Sequence, residues 1–155
     1  MTAQVIFIDD EQDIGLAVSQ LFRLESIDCQ HSTNPGAVLK QLSPSWPGII
    51  ITDIHMPAIN GLELMEKIHQ IDAEIPVVVL TGYGAVSLAV KAMRQGAYDF
   101  LEKPFDNDHL LEVAQRALEN RRLVLENRRL ARAVAAAEED SPLLGNTPEM
   151  VRLRK

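Results

Sequence analysis

The chain has 155 residues, 46% of them apolar, with 22 acidic against 15 basic side chains and a formal charge of −7. That size supports one domain with an appendage and a real core. The acidic balance argues against a free-standing binder of nucleic acid or of an anionic membrane surface, both of which call for a basic excess.

From the N-terminus, Met1-Thr2-Ala3-Gln4 runs straight into an apolar stretch without a charged leader region, so no signal peptide is expected. No apolar run approaches the roughly 18 residues of a membrane span. The single cysteine, Cys29, leaves no internal disulfide to form and suits a reducing, cytoplasmic setting.

Val5-Ile6-Phe7-Ile8 is the first predicted strand, and the helix after it carries Ile14, Ala17, Val18, Leu21 and Phe22 on one face. Ile27 to His31 is a weaker strand, suited to an edge. Asn34 caps a short helix from Pro35 to Leu42, with proline at the first helical position. Gly48 to Thr52 and Pro76 to Thr81 are rich in β-branched residues. Their apolar character is continuous rather than alternating, as in a parallel strand buried on both faces. Between them Leu64, Met65, Ile68 and Ile71 recur at helical spacing, and after them so do Val86, Ala89, Val90 and Met93. Tyr98 to Leu101 is a fifth strand. Five such βα units imply an α/β fold, an open doubly wound parallel sheet with right-handed crossovers and helices on both faces.

Ligands of such sheets sit beyond the carboxyl ends of the strands. Those ends carry Asp9-Asp10, Asp53, Thr81 and Lys103-Pro104. Any one of them has a plainer use as a cap or turn former, but their joint occurrence in strand order does not. Two like charges about 4 Å apart repel by roughly 4 kcal/mol at an effective dielectric near 20, so three convergent carboxylates need compensation. Lys103 and a divalent cation can supply it, and a few hard oxygen ligands favour Mg²⁺. A carboxylate in that setting can take up a phosphoryl group, with metal and lysine neutralising the transferring oxygens.

Ile8-Asp9-Asp10-Glu11, Asp53-Ile54-His55-Met56-Pro57 with Asn60-Gly61, Leu80-Thr81-Gly82 and Phe100-Leu101-Glu102-Lys103-Pro104-Phe105 together resemble the receiver domains of two-component response regulators. The resemblance covers roughly residues 4 to 118 and implies a CheY-like (flavodoxin-like) (βα)5 fold. It also implies Asp53 as phosphoacceptor from a sensor histidine kinase, with Asp10, Asp53 and the backbone carbonyl of His55 on Mg²⁺ and Asp9 acting through water. Lys103 and Thr81 would contact the phosphoryl group, Lys103–Pro104 would be cis, and Phe100 takes the aromatic switch position, where tyrosine is commoner. The four histidines are expected on the surface. A phosphatase of the haloacid-dehalogenase type would need an Asp where His55 stands. A flavin carrier would need a phosphate-cradling loop where Asp9-Asp10-Glu11 stands. A purely structural dimerisation module would leave Asp53 without a role.

Asp106-Asn107-Asp108 caps a final helix that runs without Gly or Pro from Asn107 to Asp140, well past what a receiver needs. In a heptad with a at Val113, Asn120, Asn127 and Val134, the seam Asn120, Leu123, Asn127, Leu130, Val134 predicts a coiled-coil linker over 119–140 in a homodimer, its asparagines fixing register. Arg121-Arg122 and Arg128-Arg129 are expected on solvated or interhelical faces. The stretch Leu143 to Met150 resembles the opening of the AAA+ ATPase domain of σ54-dependent, NtrC-type activators, here without its phosphate loop. Residues 141–155 are therefore expected to begin that domain, and contacts with DNA and σ54 RNA polymerase to belong to parts outside this chain. Within that family, Thr81-Gly82-Tyr83-Gly84 and the Arg-rich linker resemble regulators of C4-dicarboxylate transport. The expected role is a switch rather than an enzyme, with no membrane partner.

Overall fold

In a computed structural model, the structure describes residues 4–56, 59–82 and 84–140, with side chains described to 137. Five strands alternate with five helices: β1 (Val5–Ile8), α1 (Gln12–Leu24), β2 (Cys29–Ser32), α2 (Pro35–Gln41), β3 (Ile49–Asp53), α3 (Gly61–Ile71), β4 (Val77–Thr81), α4 (Val86–Arg94), β5 (Asp99–Glu102) and α5 (Asn107–Asp140). The strands form one parallel sheet in the order β2-β1-β3-β4-β5. This is the doubly wound arrangement expected from the sequence.

Strand pleating divides the core in two. Ile6, Ile8, Ile50, Val77 and Val79 pack with residues of α2, α3 and α4, among them Val38, Leu64, Met65, Ile68 and Ala92. Val5, Phe7, Ile49, Ile51, Val78, Leu80 and Leu101 pack with Val18 and Phe22 of α1 and with Leu110, Val113, Ala114 and Ala117 of α5. Both faces are covered, so β1, β3 and β4 are wholly buried. Caps fall where local chemistry places them: Asn34 Oδ1 accepts from Ala37 N–H at 3.2 Å, and Asn60 Oδ1 from Glu63 N–H at 2.8 Å.

Three expectations are corrected. In α4, Val86, Val90 and Met93 are exposed; Ala89 and Ala92 are the buried residues, with Leu88 partly buried against the core. Small side chains let this helix lie close on the sheet, and the bulkier stripe is left outside. His31 and His69 are partly buried rather than solvated, their Nε2 atoms 3.0 Å from Asp9 O and 3.2 Å from Ile75 O; His55 and His109 are exposed. Arg121 is fully buried.

The chain divides into two compact units, residues 1–122 and a second that begins at Leu123. In the second, Leu123, Leu130 and Val134 are exposed along the helix, and Arg129 pairs with Glu126 one turn earlier at 2.7 Å. The stretch 141–155, expected to open an ATPase domain, lies outside the described residues. No helix among those described is long and apolar enough to cross a membrane.

Candidate functional site

The order β2-β1-β3 places a topological switch point beside β1, and the residues that end β1 and β3 flank it. Register aligns Ile8 with Thr52, so Asp9 and Asp53 follow side by side. Asp53 lies opposite Leu80, so Thr81 ends β4 one residue further on. Thr81 in turn lies opposite Glu102, which brings Lys103 to the same edge.

The side chains converge accordingly. Asp9, Asp10 and Asp53 each offer a carboxylate oxygen, and these oxygens lie within 4.8 Å of one another. Lys103 Nζ donates to Asp53 Oδ2 at 2.8 Å and to Asp9 Oδ2 at 3.0 Å. Asp9 is fully buried and Asp53 nearly so, while Asp10 is exposed. One formal positive charge against three negative ones leaves two unmatched, in a position open to solvent at Asp10. Hard carboxylate oxygens gathered with that surplus fit a hard divalent cation.

Backbone groups fix these acids. Glu11 N–H donates to Asp9 Oδ1 at 2.9 Å, and His55 N–H to Asp53 Oδ1 at 3.2 Å. Gly61 lets α3 begin against the loop after β3: its N–H reaches Ile54 O at 2.7 Å, and a Cβ there would lie 2.5 Å from Asp53 O. Burial works against the charge on Lys103, but hydrogen bonds with Asp53 and Asp9, and their charges, outweigh it and hold its pKa above the usual lysine value.

Around this centre, Thr81 is fully buried and its Oγ1 donates to Leu101 O at 3.5 Å, a long bond to the neighbouring strand. Phe100 is partly buried against the α2–α3–α4 cluster. The Lys103–Pro104 bond is cis. Glu102 Oε2 accepts from Gly84 N–H at 3.1 Å, tying β5 to the loop before α4. His31 is a site neighbour that sequence reasoning passed over, its ring seated on Gly15 and bonded to the Asp9 carbonyl. The alternation of the first strand and helix gave no signal for that contact.

The linker-seam residues Asn120, Leu123, Asn127, Leu130 and Val134 are all exposed. Val113, which shares their heptad, is buried against the sheet. A seam therefore has Asn120 as its first accessible member.

The model for the response regulator receiver domain matches residues 5–115. The chain is 44% identical over 151 residues to the C4-dicarboxylate transport transcriptional regulatory protein DctD of Rhizobium meliloti (strain 1021), covering 97% of this chain and 33% of that protein. It is 45% identical over 153 residues to the DctD of Pseudomonas aeruginosa, covering 98% and 33%. Among solved structures it is similar to the beryllofluoride-activated NtrC4 receiver domain dimer, with 31% identity and a TM-score of 0.70 over 76% of this chain and 97% of that one. The chain spans about a third of the length of these DctD relatives. With its acidic centre at the carboxyl edge of a five-stranded parallel sheet, the chain belongs to the response regulator receiver domain family, in a sequence of NtrC/DctD type.

Proposed function

We propose that this chain is a phosphorylation-driven switch in which Asp53 accepts a phosphoryl group from a sensor histidine kinase. The observation that carries the reading is the contact of Lys103 Nζ with both Asp53 and Asp9 beside the exposed Asp10. The bond formed joins an Asp53 carboxylate oxygen to phosphorus, and the bond broken is the donor's N–P bond, whose nitrogen keeps the electron pair. Mg²⁺ held by Asp10, Asp53 and the His55 carbonyl, with Asp9 behind a water, would supply charge neutralisation for the transferring oxygens. Lys103 gives the same oxygens a fixed ammonium.

The response begins at Thr81. Its bond to Leu101 O is long at 3.5 Å and so costs little to exchange for one with a phosphoryl oxygen. Movement of Thr81 opens space that Phe100 fills by ring packing alone, since it has no hydroxyl. In this reading residues 1–118 are the receiver and 119–140 a coiled-coil linker seamed by Asn120, Leu123, Asn127, Leu130 and Val134. Residues 141–155 begin an ATPase domain. Phosphorylation changes how two copies are arranged and so controls a σ54-activating ATPase in the cytoplasm, as befits a DctD-type regulator of dicarboxylate transport. DNA and σ54 polymerase are met only through further domains.

The test adds beryllofluoride with Mg²⁺ and follows dimer geometry by small-angle scattering, in the parent and in Asp53→Asn. A change confined to the parent is expected. Identical curves for the two proteins, or sustained turnover of a small phosphate ester, defeat the reading.

A further inference from the structure

Arg121 is an arginine at a core position. The buried residues of α5 run Leu110, Val113, Ala114, Ala117, Arg121, a continuous stripe at spacings of three and four. The stripe that packs α5 on the sheet thus ends not in an apolar residue but in a guanidinium with no solvent exposure. Each of its three nitrogens has a partner. Nε reaches Trp46 O at 2.9 Å, one terminal nitrogen reaches Pro44 O at 3.0 Å, and the other reaches Asp72 Oδ2 at 3.0 Å. Pro44 and Trp46 lie in the connection from α2 to β3, and Asp72 follows α3 before β4. All precede strands, at the edge of the sheet opposite the acidic centre.

Stability alone does not account for this choice. Replacing a buried ion pair with apolar residues of similar volume is often neutral or favourable, and the stripe above Arg121 is apolar throughout. What an arginine adds is orientation, through five donors in a rigid planar fork. Contacts with two separate connections fix the last turn of α5 within residues 1–122 against both rotation and tilt. On an ideal helix at 100° per residue, Arg121 points roughly 140° away from the midline of the Asn120–Leu123–Asn127–Leu130–Val134 face. One face of the helix can be held by the receiver while another is free for a second copy.

We infer that Arg121 is a positioning residue for signalling: it locks α5 to the receiver body at the last buried turn of the helix, so that a movement begun at the acidic centre reaches the linker as a movement of the whole helix. The inference rests on the switch reading above. Without the lock, the turn of α5 around Arg121 swivels and the receiver's state is lost before the linker.

The experiment uses the full 155-residue chain, spin-labelled at Arg132→Cys in a Cys29→Ser background, with distances between the two copies measured before and after beryllofluoride and Mg²⁺. The parent should shift its distance distribution. Arg121→Met should accept phosphate on Asp53 from acetyl phosphate at the parent rate, since it lies at the opposite edge, yet lose at least half of the shift. Arg121→Lys, with a point charge in place of the fork, should restore only part. Asp72→Ala keeps both carbonyl bonds of Arg121, removes its hold on the connection after α3, and takes the place of Arg121→Met should that variant not fold. An Arg121→Met or Asp72→Ala chain that shifts as fully as the parent overturns the inference and leaves the switch intact. A parent that does not shift sinks the switch reading itself.

Discussion

Lys103 Nζ and Asp53 Oδ2 stand 2.8 Å apart although fifty positions separate them in the chain. With Asp9 3.0 Å away on the other side, the lysine is the only described side chain that bonds two of the three clustered acids. Lys103→Gln removes the internal cation and leaves the repulsion. Being partly exposed, the bridge lies between a surface and a buried pair, and its loss should cost about 1–3 kcal/mol in a metal-free buffer. The pKa of Lys103 is raised in the fold. Its contribution is therefore fully present below the ordinary lysine value and fades as pH rises through the folded one. Urea denaturation with and without Mg²⁺ checks the prediction: the ion should stabilise the variant more than the parent. A variant indifferent to Mg²⁺ would show that the acids do not hold the ion.

Gly61 is required for space rather than for an unusual backbone angle. An added Cβ would meet Asp53 O at 2.5 Å and Ile54 Cα at 2.9 Å, both backbone atoms unable to swing aside. Gly61→Ala should cost about 1–3 kcal/mol and slow phosphorylation by acetyl phosphate, because Asp53 moves. Gly82→Ala meets nothing within 4 Å and is the control, expected within about 0.5 kcal/mol of the parent. Thermal unfolding of both, with a phosphorylation time course, tests the pair.

Cys29 is a pH probe far from the chemistry. Burial pushes its thiol up to about 11, a hydrogen bond from Ser19 opposing and the charge of Asp28 adding. The unfolded chain ionises this thiol near 9 while the folded one does not, so its contribution is whole below pH 9 and is lost as pH rises toward 11. Between pH 8 and 10.5 the parent should lose roughly 2 kcal/mol more than Cys29→Ala. Equal losses in urea titrations at the two pH values would show that the thiol ionises freely in the fold.

The exposed face of the linker predicts association. Leu123→Glu with Leu130→Glu places charges at two d positions and should weaken dimerisation at least tenfold, about 1.4 kcal/mol. Neither residue belongs to the sheet core, so unfolding of the receiver should hold to the parent midpoint. Sedimentation equilibrium reads the first effect and thermal unfolding the second. A double variant that dimerises like the parent would place the interface elsewhere.

Much of this architecture follows from local sequence. Val5 to Ile8, Ile49 to Thr52 and Val77 to Thr81 are continuous apolar runs because both faces of a parallel strand are covered. An acid or lysine just after such a run can lie only at the carboxyl edge of the sheet. The convergence of Asp9, Asp53 and Lys103 is thus written in strand order. Packing beyond that rule is not. In α4 the bulky residues Val86, Val90 and Met93 lie outside, while two alanines lie buried and Leu88 packs against the core beside them, since distance to the sheet, not hydrophobicity alone, chose the inner face.

By itself the sequence determined the five-unit alternation, the acidic centre and the long uninterrupted last helix, each set by residues that lie near one another or at the same end of successive strands. Only the tertiary structure decided the fate of Arg121. Its partners lie 49, 75 and 77 positions away, and two of them are main-chain carbonyls that any residue type would offer. A charge beside another arginine reads as a solvated helix face until loops from elsewhere in the chain close over it and satisfy its donors.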